Sequence, residues 1–393
     1  MPTRRTFLQG LGCSAAAHPL MTSVTFAQAP WENRLVVLIL RGGMDGLDVV
    51  RPVGDRDFPA LRRGMADGGL PLTGFYEMHP GLADLAPLWA AGELGFAHAL
   101  STPYRDKRSH FDGQDLLEAG TGMDVPLPTD GWLNRMLQTV PGVEGETAFA
   151  IGRENLHLLS GPAEVANWSP ETRFGLSPQA ERLLQMIYAD DPLFRAASAE
   201  AAVLARDIAL DLADEDADSD MMQAMGQGGA SEVALAAFAA DRLSRDTRIA
   251  AFSINGWDTH RNQSRELERV LKRLSEVILT LKQGLGPIWG RTTILALTEF
   301  GRTARENGSA GTDHGTGGAL LYAGGAVRGG QVLGRWPGVA EADLYDRQDL
   351  MPTADVRAYA AWAMRDAFGI DRTALETKVF PGLDLGDNPG LLL

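Results

Sequence analysis

Six consecutive apolar positions, Leu35 to Leu40, are followed after Arg41 by Gly42 and Gly43. A short, unbroken run of Val, Ile and Leu closed by glycine predicts a strand buried on both faces, as in a parallel sheet. Leu94 to Leu100 reads as the next strand, and Arg248 to Ile254 and Thr292 to Thr298 as further buried strands. Between the last two, Leu267, Val270, Leu271, Leu274, Val277, Ile278 and Leu281 recur at helical spacing, which predicts an amphipathic helix over Gln263 to Leu285. Strand, turn, long helix and strand make a βαβ unit. Shorter helices are expected over Leu82 to Ala91, Ser109 to Ala119, Ser231 to Leu243 and Asp355 to Phe368, and GGALLYAGGAV (317–327) resumes a strand. Ser109 is placed to cap its helix and Gly120 to end it. His98, inside the second strand, reads as a core histidine.

Other stretches are less regular. Residues 120–175 are rich in Gly, Pro and Trp and read as surface excursions, with Thr147 to Ile151 a short strand-like run inside them. Residues 177–213 have helical spacing, and 211–230 form an acidic, then glycine-rich linker. Two insertions, about 120–175 and 177–230, therefore interrupt a single α/β domain over 30–393. Trp132, Trp168 and Trp257 are expected in the core or lining a pocket for apolar faces.

Composition narrows the class. In 393 residues, 22% are charged and 45% hydrophobic, which is ordinary for a water-soluble domain. The net charge of −15 comes without a basic stripe, which argues against nucleic acid as a partner. The first 29 residues read as an address. TRRTFLQG carries Arg4 and Arg5, an alanine-rich stretch follows, and Ala27-Gln28-Ala29 has the small-residue pattern of a cleavage site. The twin-arginine export machinery is thus an expected partner, and the periplasm or the exterior the expected location. The single cysteine, Cys13, lies in this leader, so no thiolate site is expected beyond it. No other segment offers the roughly 18 uncharged apolar residues of a membrane span.

Candidate chemistry collects at strand ends. Asp45 follows the first strand, Asp258 and His260 the third, Glu299 the fourth, and Asp313 with His314 lies in the loop beyond. Carboxyl ends of parallel strands share one edge of a sheet, so these groups should converge there. Carboxylates and imidazoles crowded into one crevice repel unless cations neutralise them, and one or two divalent ions (Mn, Zn, Mg or Ca) are expected. Ser109 begins a helix beside Arg105, Lys107 and Arg108, where both dipole and cations favour an anion; a plain helix cap would look the same.

The motifs RGGMDGLD, RSHFDGQDLLEAG, INGWDTH, LALTEFGRT and TDHGTGGALLYAGG, together with the leader, resemble an exported bacterial family, domain of unknown function 1501, related to the alkaline phosphatase and sulfatase superfamily. The resemblance implies a doubly wound, mostly parallel sheet sandwiched by helices, and hydrolysis of phosphate or sulfate esters by a hydroxyl nucleophile between two metals. It implies Asp45 as a ligand of one metal, Ser109 as nucleophile, and Asp258 with His260 on the other metal. Glu299 stands for the aspartate of an Asp-His pair in which Phe300 replaces the histidine, and His314 beside Asp313 for the late histidine ligand. In a second alignment Asp313-His314 is itself that pair. Arg105, Arg108 or Arg302 would hold the equatorial oxygens. Two other classes remain open. A serine hydrolase would use Ser109, Asp258 and His314 in that chain order, although no G-x-S-x-G elbow occurs. A non-catalytic exported binding protein would keep the fold without the activity.

Overall fold

Strand β1 (Arg34–Arg41) occupies the middle of the molecule, and its residues alternate between two cores. Leu35, Val37 and Ile39 pack on one face; Val36, Leu38 and Leu40 pack on the other, all with no exposed surface. This double burial is why the run is uninterrupted by polar residues. The structure is a computed structural model, describing residues 31–64, 68–105, 108–124, 127–140, 143, 147–151, 156–168 and 232–393, all within one compact unit. The leader, Lys107, and the expected helical and linker stretches over 177–230 lie outside the described residues.

The remaining strands are β2 (Val50–Arg51), β3 (Leu70–Pro71), β4 (Glu77–Met78), β5 (Leu94–Ser101), β6 (Ala148–Ile151), β7 (Ala166–Trp168), β8 (Ile249–Asn255), β9 (Thr292–Leu297), β10 (Gly318–Ala323), β11 (Val332–Leu333) and β12 (Ala354–Asp355). The main sheet runs β11-β5-β10-β9-β1-β8-β6-β7, with β12 beside β5; β2, β4 and β3 form a small antiparallel sheet. Within the main sheet β10 alone is reversed, pairing antiparallel with β5 and β9. The result is the mostly parallel, helix-sandwiched α/β/α sheet expected. One expectation is corrected. Thr147 to Ile151 is no surface excursion: β6 pairs in parallel with β8 inside the main sheet, and Ala148 to Ile151 are buried.

Five helices of seven or more residues are described: α1 (His110–Ala119), α2 (Trp132–Gln138), α3 (Glu232–Ser244), α4 (Gln263–Leu285) and α5 (Val356–Phe368). Helices α3 and α4 cover one face; α2 and α5 cover the other. All seven apolar residues of the α4 stripe are fully buried, each contributing roughly 1.5–3 kcal/mol. That sum far outweighs the roughly 1–2 kcal/mol cost of left-handed Asn262 (φ 47°), the residue that turns the chain into α4. Around Leu82 to Ala91 the expected helix is instead a 3₁₀ turn, Pro80–Leu85, followed by the helix Ala86–Ala90. Pro87, without an N–H to give, fits there because it falls in the first turn of the second element. Trp132 and Trp257 are buried core residues. No helix among the described residues is long and apolar enough to cross a membrane.

Candidate metal centre

Strands β8, β1 and β9 are adjacent and parallel, so their carboxyl ends open on one edge. Past β1 the chain turns at Gly42 (φ 124°); a Cβ there would meet the Asp258 nitrogen at 2.5 Å. Past β8 lie Asp258 and His260, and past β9 lies Glu299. The 301–317 loop then folds back over this edge: Thr312 N donates to Thr259 O, and Arg302 and His314 form an antiparallel bridge. Close packing again demands glycine, since a Cβ on Gly311 would lie 2.2 Å from the His260 carbonyl carbon. Helix α1 supplies one more group. Ser109 caps it, accepting a long 3.4 Å bond from Asp112 N, and His110 is its first residue.

Three imidazoles converge on one carboxylate oxygen. Asp258 Oδ1 lies 3.0 Å from His260 Nε2, 3.3 Å from His314 Nε2 and 3.4 Å from His110 Nε2. The His260 and His314 Nε2 atoms are 2.9 Å apart. The outward nitrogen of each ring is anchored on an acceptor. His110 Nδ1 donates to Glu299 Oε1 (2.8 Å), His260 Nδ1 to Asp313 Oδ1 (2.9 Å) and His314 Nδ1 to the Arg108 carbonyl (2.7 Å). A neutral ring with its proton on Nδ1 carries a lone pair on Nε2. All three Nε2 atoms therefore face the same carboxylate oxygen, where a cation could replace the protons they would otherwise share. His110 Nε2 is buried without a hydrogen bond, its contact with Asp258 being the 3.4 Å ion pair alone. Phe300 walls the cluster, its ring centroid 5.1 Å from that of His110 and 5.0 Å from that of His314.

The electrostatics follow from this crowding. The flanking carboxylates of Asp258 and Glu299 push the His110 imidazole up to about 9. Burial pushes Asp258 up, but the adjacent His110 and His314 rings and the Arg302 guanidinium prevail and hold its carboxyl well below the ordinary range. Glu299 is fully buried; that burial is likewise overcome, by His110, Gln114 and the Gly42 N–H, so it stays ionised.

The expected site residues divide accordingly. Asp258, His260 and His314 meet, while Glu299 and Asp313 stand behind them as partners of His110 and His260. Asp45 is elsewhere. Its buried carboxylate accepts from both terminal nitrogens of Arg62 (2.5 and 3.0 Å) and from Gln263 Nε2 (2.6 Å), and it caps the helix Gly46–Val49. Its charge is matched by Arg62, and its oxygens are taken up by that guanidinium, by Gln263 and by Leu47 N. Arg302, expected to hold equatorial oxygens, is buried and donates to the carbonyls of Gly42, Gly43, Trp257 and Thr312 and to Asp258 Oδ1 (2.6 Å). Arg105 donates to Ser101 Oγ and to the carbonyls of Thr102 and Tyr104. His110 was not foreseen, although it follows Ser109 in the same motif and Gln114, four residues on, bonds to the same Glu299. The Ser109–Asp258–His314 triad lacks its geometry. One ring nitrogen of His314 faces Asp258 and the other is taken by Arg108 O, leaving none for a serine.

The profile of a family described as "Protein of unknown function (DUF1501)" matches residues 102–363, which include all four cluster residues. No curated protein matches the sequence. Among solved structures, the lipoteichoic acid synthase LtaP from Listeria monocytogenes is similar over 91% of this chain and 78% of its own, with 9% identity and a TM-score of 0.40. Ps i-CgsB in complex with k-i-k-neocarrahexaose is similar over 77% of this chain and 68% of its own, at 10% identity and a TM-score of 0.37. A TAB5 alkaline phosphatase mutant with bound Mg is similar over 75% of this chain and 90% of its own, at 12% identity and a TM-score of 0.32.

Proposed function

The chain belongs to the DUF1501 family, and from that premise we propose that His110, Asp258, His260 and His314 hold one divalent cation in an exported hydrolase of phosphate or sulfate esters. The observation that carries the reading is the convergence of three Nε2 atoms on Asp258 Oδ1, each ring held from behind by an acceptor at Nδ1. Such backing partners are what fix the tautomer of a metal-binding histidine. Ligand atoms of His110, Asp258 and His314 all lie within 4.8 Å of one another, and His260 Nε2 stands 3.0 Å from Asp258 Oδ1 and 2.9 Å from His314 Nε2, so a small adjustment of His260 would complete the four ligands that zinc prefers. Three imidazoles shift the preference among the expected ions toward Zn or Mn, since Mg and Ca favour oxygen. Charge favours a single ion. Asp258, Glu299 and Asp313 set against the buried Arg302 leave two negative charges, matched by one dication.

A divalent ion supplies Lewis acidity toward an ester oxygen. The chain supplies the rest. Ser109, one residue from His110 and at the positive end of α1, is the proposed nucleophile. Its Oγ would form the new bond to phosphorus or sulfur as the bond to the ester oxygen breaks, the hydroxyl proton passing to solvent, and water would then free the serine. Export by the twin-arginine route, which carries folded proteins, would deliver the site with its ion in place.

Elemental mass spectrometry on full-length protein purified without chelator should find about one equivalent of metal. His110→Ala and His314→Ala should lose it. Ser109→Ala should keep the metal but lose turnover of an aryl phosphate or aryl sulfate. A wild-type protein that takes up neither Zn nor Mn would sink the proposal; a tight metal without turnover of any ester would leave a binding protein.

A further inference from the structure

Arg108 is one of the few residues with a side chain that the fold holds in the left-handed region (φ 52°), a conformation that glycine and asparagine adopt far more readily than other residues. Its peptide joins two parts of the metal centre. The Arg108 carbonyl accepts the Nδ1 proton of His314 at 2.7 Å. The next residue, Ser109, caps the helix that begins with His110, and Ser109 N donates to the Tyr104 hydroxyl at 2.6 Å. The guanidinium points away from the cluster, giving Nη2 to Gln348 Oε1 at 3.0 Å and lying 3.5 Å from Asp349 Oδ2. Asp349 is buried and also accepts from Thr316 Oγ1 at 2.9 Å. The guanidinium is thus engaged with the 348–349 turn, while the backbone serves the centre.

We infer that Arg108 is a positioning residue, whose left-handed peptide aims a carbonyl at His314 and fixes that ring with its Nε2 lone pair toward the cation. An extended or right-handed peptide at 108 would turn the carbonyl away. His314 would then be free to carry its proton on Nε2, the tautomer that cannot ligate. The inference rests on the metal reading above. It assigns the role to the backbone conformation, in place of the substrate contact expected of this arginine.

Three variants separate backbone from side chain. Arg108→Gly and Arg108→Asn drop the guanidinium but tolerate the left-handed region, whereas Arg108→Val drops it and resists that region. Zn²⁺ affinity, measured by competition with a chromogenic chelator, should stay within about threefold of wild type for Gly and Asn and fall about 10- to 100-fold for Val, the usual range for a lost backing partner. In metal-free protein, the ring ¹⁵N shifts of His314, assigned with His314→Gln, should report an Nδ1–H ring in wild type, Gly and Asn. They should shift toward Nε2–H in Val. Equal affinities and equal shifts in all four proteins would overturn the inference. So would a loss in Gly as large as in Val, which would make the guanidinium the operative group. If wild type binds no Zn²⁺ at all, the metal reading fails instead, and the His314 shifts alone decide whether the Arg108 peptide sets the tautomer.

Discussion

Asp45 and Asp258 follow adjacent parallel strands, and their local sequences do not separate an internal counter-ion from a ligand. The difference lies in what already covers their oxygens. Arg62 and Gln263 cover Asp45, and burial is complete. Burial alone would raise the Asp45 carboxyl, but Arg62 overrides it and keeps the group ionised. Asp45→Asn takes from the buried Arg62 guanidinium its paired carboxylate, leaving only the more distant charges of Asp48 and Glu306, and breaking such a pair costs roughly 3–5 kcal/mol. The urea midpoint should drop accordingly while metal content stays at the wild-type level. Metal loss with unchanged stability would put Asp45 back among the ligands. Arg62 sits 17 residues beyond Asp45, behind an irregular stretch, so no periodicity announced the pairing. His110 was hidden for a related reason. At the head of a helix, a histidine on the face that serves a site has the same spacing as one on a solvated face, whereas histidines in turns past buried strands stand out.

At the scale of elements, the legible parts are those with enough apolar positions to fix their period. The boundaries of α4 match the expected helix because seven buried positions define its stripe, and β1, β5, β8 and β9 are recognisable as short, mostly apolar runs. Strand β6 is legible as a strand-like run, but four residues inside a Gly- and Pro-rich stretch are too few to show which sheet they join, and its place is set by pairing with β8. The reversal of β10 also left no mark in its sequence, because a strand buried between two neighbours is apolar in either direction. What places the site is the crossing of the β1 and β8 exits, where Gly42 touches the peptide of Asp258. Gly42→Ala combines a positive φ with a 2.5 Å contact to backbone, so it should cost about 2 kcal/mol or more. It should also weaken Zn²⁺ binding by displacing Asp258. Thermal melting and chelator competition read the two effects separately. A variant that melts lower but binds as wild type would show that the β8 exit moves as a rigid piece with its ligands intact.

For the whole molecule, acid sensitivity should come from two histidines outside the centre as well as from the centre itself. His98 on β5 donates from Nε2 to Val50 O on β2 and accepts from Ala99 N at Nδ1, tying the small sheet to the large one. His79 accepts from Gly81 N at Nδ1, and its Nε2 is buried without a hydrogen bond, 4.0 Å from Asp48. Neither ring can take a second proton without losing a bond, and burial pushes both down to about 4. In the unfolded chain the same groups titrate near 6.5, so between those values the unfolded state holds more protons and stability falls as pH falls. The loss from pH 7 to pH 4 should be roughly 3 kcal/mol for each ring, and the two together rival the whole stability of an ordinary domain. Ligand histidines also release a metal in acid, which lowers stability by a separate, concentration-dependent amount. Urea unfolding of chelated protein at several pH values removes that second effect. In it, His98→Gln should flatten the acid slope by about half, because a glutamine amide can still donate to Val50 O without titrating. Stability that stays level from pH 7 to pH 4 after chelation would mean that the two buried rings are not held neutral, and that acid acts on this protein through its metal centre alone.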